Sequence, residues 1–170
     1  PGCSFGSDGN ENNVCGSTYE YQDITGQFQV MGNTEGGQAL FDVCRTNRAP
    51  ERIFLFTLRS QVARLRIDTE GSDFDTLLGV WSSCDEPSSE LACNDDALTG
   101  VRTSELILER PVLGDYYILV DGHGDSAGSF QLNIRGELPV GARCQQGRNT
   151  EEWISCGADA VCRRGTCQTA

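Results

Sequence analysis

Lysine is absent from this chain of 170 residues, and all 13 of its basic residues are arginine. Neither a Schiff-base amine nor a phosphate-loop lysine can therefore operate here. Histidine occurs once, as His123, and no two cysteines stand in a C-x-x-C pair, so a zinc or haem site lacks its usual ligands. Nowhere do eighteen apolar residues run together, which excludes a transmembrane helix. Positive charge is scarce altogether, and the net charge is −12. Nucleic acid and anionic membrane surfaces are disfavoured, because both are bound through clustered cations. A cationic ligand, calcium above all, suits this balance.

Cysteine, by contrast, is abundant: nine residues, at positions 3, 15, 44, 84, 93, 144, 156, 162 and 167. With no metal to hold them, that number points to disulfides in an oxidising, extracellular compartment. The chain opens at Pro1 without methionine or a basic-then-apolar leader, which reads as a mature or trimmed form whose targeting signal is missing. Cys84 and Cys93 are expected to pair, closing a loop of ten residues. Cys44 can meet Cys15 or Cys3; Cys15 is the expected partner, which leaves Cys3 as a free or interchain thiol. Cys144, Cys156, Cys162 and Cys167 are spaced C-x11-C-x5-C-x4-C and allow three pairings, among which the sequence does not choose.

The chain falls into three parts. Residues 1–26 are rich in Gly, Ser, Asn and Asp and read as an irregular arm. From residue 27 to 136, short β-type runs alternate with turn residues. Ile53 to Leu58 is apolar on both faces, as a central strand is. Val62 to Asp68 alternates, with Ala63, Leu65 and Ile67 inward, and further strands are expected at Phe74–Trp81, Glu105–Glu109, Tyr116–Val120 and Ser129–Ile134. Strands at this spacing with almost no helical periodicity predict an all-β fold, an antiparallel β-sandwich of jelly-roll type. Residues 137–170 have few core formers and four cysteines, and read as a small disulfide-rich appendage.

Acid is concentrated between Asp68 and Asp96, where nine carboxylates occur with no basic residue. Asp73, Asp75, Asp95, Asp96 and Asp121 are the candidate calcium ligands. Clustered carboxylates repel one another until a cation arrives, and calcium takes six to eight oxygens. The competing reading is that these aspartates cap turns through the backbone. Gly124-Asp125-Ser126-Ala127-Gly128 matches the nucleophile segment of trypsin-type proteases, but a triad needs a histidine brought in from another strand. The sole histidine lies three residues away, in what reads as a hairpin loop joining the Tyr116 and Phe130 strands. Asp85, Glu86 and Glu90 read as solvated loop acids rather than a glycosidase pair. Trp81 and Tyr116 are expected in the core and Trp153 at the surface.

Several segments, taken in order, resemble a known family: Asp73-Phe74-Asp75-Thr76-Leu77-Leu78, Cys84, Cys93-Asn94-Asp95-Asp96, Gly114 to Gly122 and Gly128 to Ile134. Together with residues 53–69 they are similar to the bacterial pre-peptidase C-terminal (PPC) domain, in its cysteine-bearing version with a cysteine-rich tail. The resemblance implies a jelly-roll sandwich appended to exported proteins, without catalytic residues of its own, in which some relatives bind calcium or help hold polymeric substrates. It covers residues 27–136, not the arm or the tail.

The expectation that follows is a secreted or cell-surface, non-catalytic binding or adhesion module, stabilised by calcium. Its partners would be an extracellular protein, a polysaccharide or copies of itself. The second reading is a structural subunit of an extracellular filament or surface assembly, for which an odd cysteine and a flexible arm are suited.

Overall fold

The computed structural model describes residues 13–15, 19–39, 44, 49–84, 86–144 and 153–170, with the backbone alone at 13–15, 19 and 87. Regular structure among them is thirteen β-strands and one 3-10 turn at Pro87–Ser89. Eight central strands set the architecture: β3 (Gln29–Asn33), β4 (Arg52–Leu58), β5 (Arg64–Asp68), β6 (Thr76–Trp81), β7 (Glu90–Asn94), β8 (Glu105–Glu109), β9 (Gly114–Gly122) and β10 (Ser129–Leu138). One sheet carries the order β3-β10-β5-β8 and the other β4-β9-β6-β7. The chain passes from sheet to sheet at every step except β6 to β7, which is the connectivity of a jelly roll. An antiparallel β-sandwich is thus what the alternating pattern builds.

Strand β4 shows why both faces of one sheet are apolar. Phe54, Phe56 and Leu58 point into the space between the sheets, where they meet Leu65, Ile67, Phe130, Leu132 and Ile134. Ile53 and Leu55 point the other way and join Tyr21, Leu77, Trp81, Tyr117 and Leu119 in a second buried layer on the outer side. Strand β9 divides likewise, with Tyr116, Ile118 and Val120 inward and Tyr117 and Leu119 outward. The Tyr116 hydroxyl donates to the Val112 carbonyl at 2.7 Å, and burial pushes its pKa up.

Additions at both ends of the chain extend the sandwich. Strands β1 (Asn13–Cys15) and β2 (Tyr19–Asp23) lie in the stretch whose composition reads as an irregular arm. They pair with each other, and β2 runs parallel to β4. Tyr21 contributes a buried ring packed edge-on against Tyr117, with centroids 5.7 Å apart. At the other end, β11 (Ile154–Cys156) pairs parallel with the end of β10. The hairpin of β12 (Ala160–Arg163) and β13 (Thr166–Thr169) stands beyond it.

The expectation that Trp153 is exposed is corrected here. It is 5% exposed and packs edge-on against Phe56 at 5.3 Å, so the tail donates a core residue to the sandwich. The indole can lie there because Gly136 has no side chain; a Cβ at that position would strike the ring. Trp81 and Tyr116 are core residues, as expected.

The loop from Gly122 to Gly128 is not a hairpin. Strand β9 has β4 and β6 as neighbours, whereas β10 has β3, β5 and β11, so the loop carries the chain from one sheet to the other. It folds tightly: Ser126 N–H donates to the His123 carbonyl at 3.1 Å, and a side chain at Gly122 would collide with the Ser126 carbonyl.

Candidate functional site

Because β6 lies between β9 and β7, the start of β6 and the ends of β7 and β9 fall at the same edge of the sandwich. Asp75 immediately precedes β6, Asp95 and Asp96 follow β7, and His123 follows β9. Carboxylate oxygens of Asp75, Asp95 and Asp96 lie within 4.8 Å of one another. The backbone beneath them is tied down. His123 N–H donates to the Asp75 carbonyl at 2.9 Å. The Ser104 hydroxyl sits 2.5 Å from the Asp95 carbonyl and 2.6 Å from that of Thr76, with one proton to serve both. Ser104, Thr69 and Thr76 form a fully buried hydroxyl cluster, in which Ser104 N–H donates to Thr69 Oγ1 at 2.8 Å.

Charge at this edge is unbalanced. Asp95 Oδ2 lies 2.8 Å from His123 Nδ1. That hydrogen bond, then the charge of Asp95, with smaller help from Asp75 and Asp96, raises the His123 pKa above its ordinary value. Two further oxygens of the group, Oδ1 of Asp75 and Oδ1 of Asp95, are buried and have no hydrogen-bond partner among the described residues. A buried carboxylate oxygen without a donor is costly unless a cation satisfies it.

The structure therefore brings together Asp75, Asp95 and Asp96 of the five aspartates singled out by the sequence. Asp73 lies apart from them and caps β10, accepting the Ser129 N–H at 2.8 Å. Gly128 must be glycine there, since a Cβ would run into Asp73 Oδ1. Asp121 is buried on β9 opposite Leu77 and accepts the Gly122 N–H at 2.7 Å. His123 joins the acidic group although its sequence neighbourhood suggested only a comparison with Ser126. Among the described residues no hydrogen bond joins Ser126 Oγ to the imidazole, whose Nδ1 is taken by Asp95. Glu86 accepts from the Ser88 hydroxyl at 2.6 Å and Glu90 is exposed, while Asp85 lies outside the described residues.

Disulfide pairing differs from the expectation. Cys93 is bonded to Cys44, not to Cys84. The β6–β7 register explains it: Cys93 faces Gly79 in mid-strand, whereas Cys84 lies five positions further on, past the end of β6. Cys84 is itself disulfide-bonded. Because Cys44 is held by Cys93, the expected Cys44–Cys15 bond is also corrected, and the expectation that Cys3 is a free or interchain thiol lies outside the described residues. In the tail Cys144 pairs with Cys162 and Cys156 with Cys167.

Elsewhere a cavity of about 550 Å³ opens between β3 and the start of β4. Buried Phe54, Phe130 and Glu51 line it together with exposed Glu20 and Gln22 and half-buried Arg52. Its volume falls in the range of roughly 300–1,000 Å³ common for small-ligand sites.

No family model matches the chain, and neither does any curated protein. Among solved structures the fold is similar to the pre-peptidase C-terminal domain of collagenase from Bacillus anthracis, at 15% identity and a TM-score of 0.49, over 69% of this chain and 97% of that one. It is also similar to PliG, a periplasmic inhibitor of g-type lysozyme from Aeromonas hydrophila, at 15% identity and a TM-score of 0.40, over 68% and 97%. Both are likenesses of fold at low identity.

Proposed function

We propose that this chain is a secreted, non-catalytic binding or adhesion module whose acidic edge is tied together by calcium. The observation that carries the reading is the pair of buried, unpartnered oxygens on Asp75 and Asp95, beside Asp96. The donor set is oxygen only, which suits a hard cation that takes six to eight oxygens and accepts waters among them. Once bound, calcium offsets two of the three carboxylate charges and joins the entry to β6 with the exit from β7. The loops at that edge are then held rigid for recognition of an extracellular protein or polysaccharide. Seven described cysteines engaged in disulfides support export to an oxidising compartment.

The test is calorimetric titration of the chelated protein with calcium. Wild type is expected to bind about one ion per chain, and Asp75→Asn and Asp95→Asn to lose that heat. Absence of heat in the wild type overturns the calcium reading. Turnover of a substrate that disappears on changing Ser126 overturns the non-catalytic one.

One observation favours a second reading, a subunit of an extracellular assembly. The nine cysteines are an odd number, so disulfides within one chain leave at least one over. Electrophoresis without reductant separates the readings: a ladder that collapses on reduction supports the assembly, a single monomer band the module.

A further inference from the structure

The tail carries a feature that neither the sandwich nor the acidic edge explains. Arg163 faces Thr166 across the β12–β13 hairpin, and Arg143 faces the same Thr166 from the other side through a bridge. Hydrogen bonds from Cys144 N–H to the Gly165 carbonyl, and from Cys167 N–H to the Ala142 carbonyl, lock that third segment on. Directly paired residues of adjacent strands project to the same side. Arg143, Thr166 and Arg163 therefore stand in a row on one face. Arg164 occupies the turn, at φ 51°, followed by Gly165 at φ 80°. A left-handed turn residue is ordinarily Asn, Asp or Gly, and arginine there is held against its preference.

All three arginines are exposed, and among the described residues none of them forms an ion pair. Arg64 and Arg66, by contrast, are each paired with two carboxylates. The disulfides Cys144–Cys162 and Cys156–Cys167 fix the backbone of the row. The patch also lies far from the acid. Strand β10 starts beside Asp73 and runs ten residues to Leu138 before the tail begins, a distance of about 30 Å.

We propose that Arg143, Arg163 and Arg164 form a binding site for an acidic polysaccharide, a linear chain bearing carboxylate or sulfate groups. Guanidinium forks match such groups in a bidentate manner, and a row of them follows a linear polyanion. On the rest of the face Thr166 and Gln168 offer hydrogen bonds and Val161 a small apolar contact, with no aromatic anchor. Strands of four residues are too small for a protein interface of about 800 Å² per partner, which argues for a narrow ligand. The site deepens the reading of the chain as a binding module and rests on it, though not on calcium.

The experiment measures binding of the full chain, in chelator, to dextran sulfate, polygalacturonate, neutral dextran and poly-glutamate. Binding is expected to at least one of the two acidic polysaccharides and not to neutral dextran. It should weaken by roughly 20- to 40-fold between about 50 and 200 mM salt, with each of three arginines releasing one counterion. The combined Arg143→Gln, Arg163→Gln, Arg164→Asn variant should lose this binding while keeping its melting temperature. Arg135→Gln, which removes an exposed arginine elsewhere, should bind as wild type does. Binding that survives the triple variant, equal binding to neutral dextran, or no binding to either acidic polysaccharide overturns the proposal. Preference for poly-glutamate also overturns it, in favour of an acidic protein segment. None of these outcomes bears on the calcium titration, so the two readings fail separately.

Discussion

Protonated His123 gains a hydrogen bond from its contact with Asp95 and the attraction of three carboxylates, so its pKa is raised on folding. A group of that sign adds stability that is fully present below the ordinary imidazole value of about 6.5 and fades as pH rises through the folded value. Asp95→Asn should return the imidazole toward its ordinary pKa, read from its proton resonances in the calcium-free protein. The melting-temperature gap between wild type and variant should be wider at about pH 5 than at about pH 8. A gap that widens with pH would contradict this. Behind Asp95, Ser104→Ala removes the hydroxyl that serves two buried carbonyls and should cost about 1–3 kcal/mol in a denaturant melt. At this scale the sequence was only partly legible. Asp-x-Asp before a strand suggested a pair of ligands, yet Asp73 turned to cap β10 while Asp75 turned to the acidic edge. Which way each side chain goes depends on β10 and β7, segments far away in the chain.

Strands were more legible than their pairing, and for a physical reason. Alternation in β5 and two-sided apolarity in β4 and β9 reflect the layers each strand contacts, so they show in the residues themselves. Partner choice is set by long-range packing, and nothing local distinguishes a β9–β10 hairpin from a crossover between sheets. The same limit explains the misplaced disulfide, since Cys84 and Cys93 are near in sequence but offset in the β6–β7 register. Cys44–Cys93 closes a separation of 49 residues, and on the loop-closure model its removal as the Cys44→Ser, Cys93→Ser pair should cost about 4 kcal/mol. Trp153 was expected at the surface because the tail has few core formers; its partners are Phe56 and Gly136 in the sandwich, far away in the chain. Trp153→Ala should destabilise the whole protein by about 3–5 kcal/mol, in a single cooperative transition. Loosening of the tail alone, with the sandwich melting as before, would contradict that anchoring role.

Across the whole molecule the charge is lopsided: −12 overall, with three arginines of the tail outside any ion pair among the described residues and three carboxylates crowded at the edge where β6 begins. Two effects of added salt must then be kept apart. Sodium chloride screens the general repulsion, with a Debye length of about 8 Å at physiological strength, and acts without regard to site. Calcium at the proposed site acts by mass action, contributing about 2.7 kcal/mol at a hundredfold excess over its Kd. For a chain of this size that corresponds to a rise in melting temperature of roughly 5–11 °C. The comparison is calcium chloride against sodium chloride at matched ionic strength, in wild type and in Asp95→Asn with Asp96→Asn. The wild type should gain stability from calcium beyond the sodium control, and the double variant should respond to both salts alike. Replacing two carboxylates also removes like-charge repulsion, so without calcium the variant should melt no lower than wild type, apart from the His123 contribution at low pH. If calcium stabilises both proteins equally, the gain belongs to diffuse charge and Asp75, Asp95 and Asp96 hold no ion.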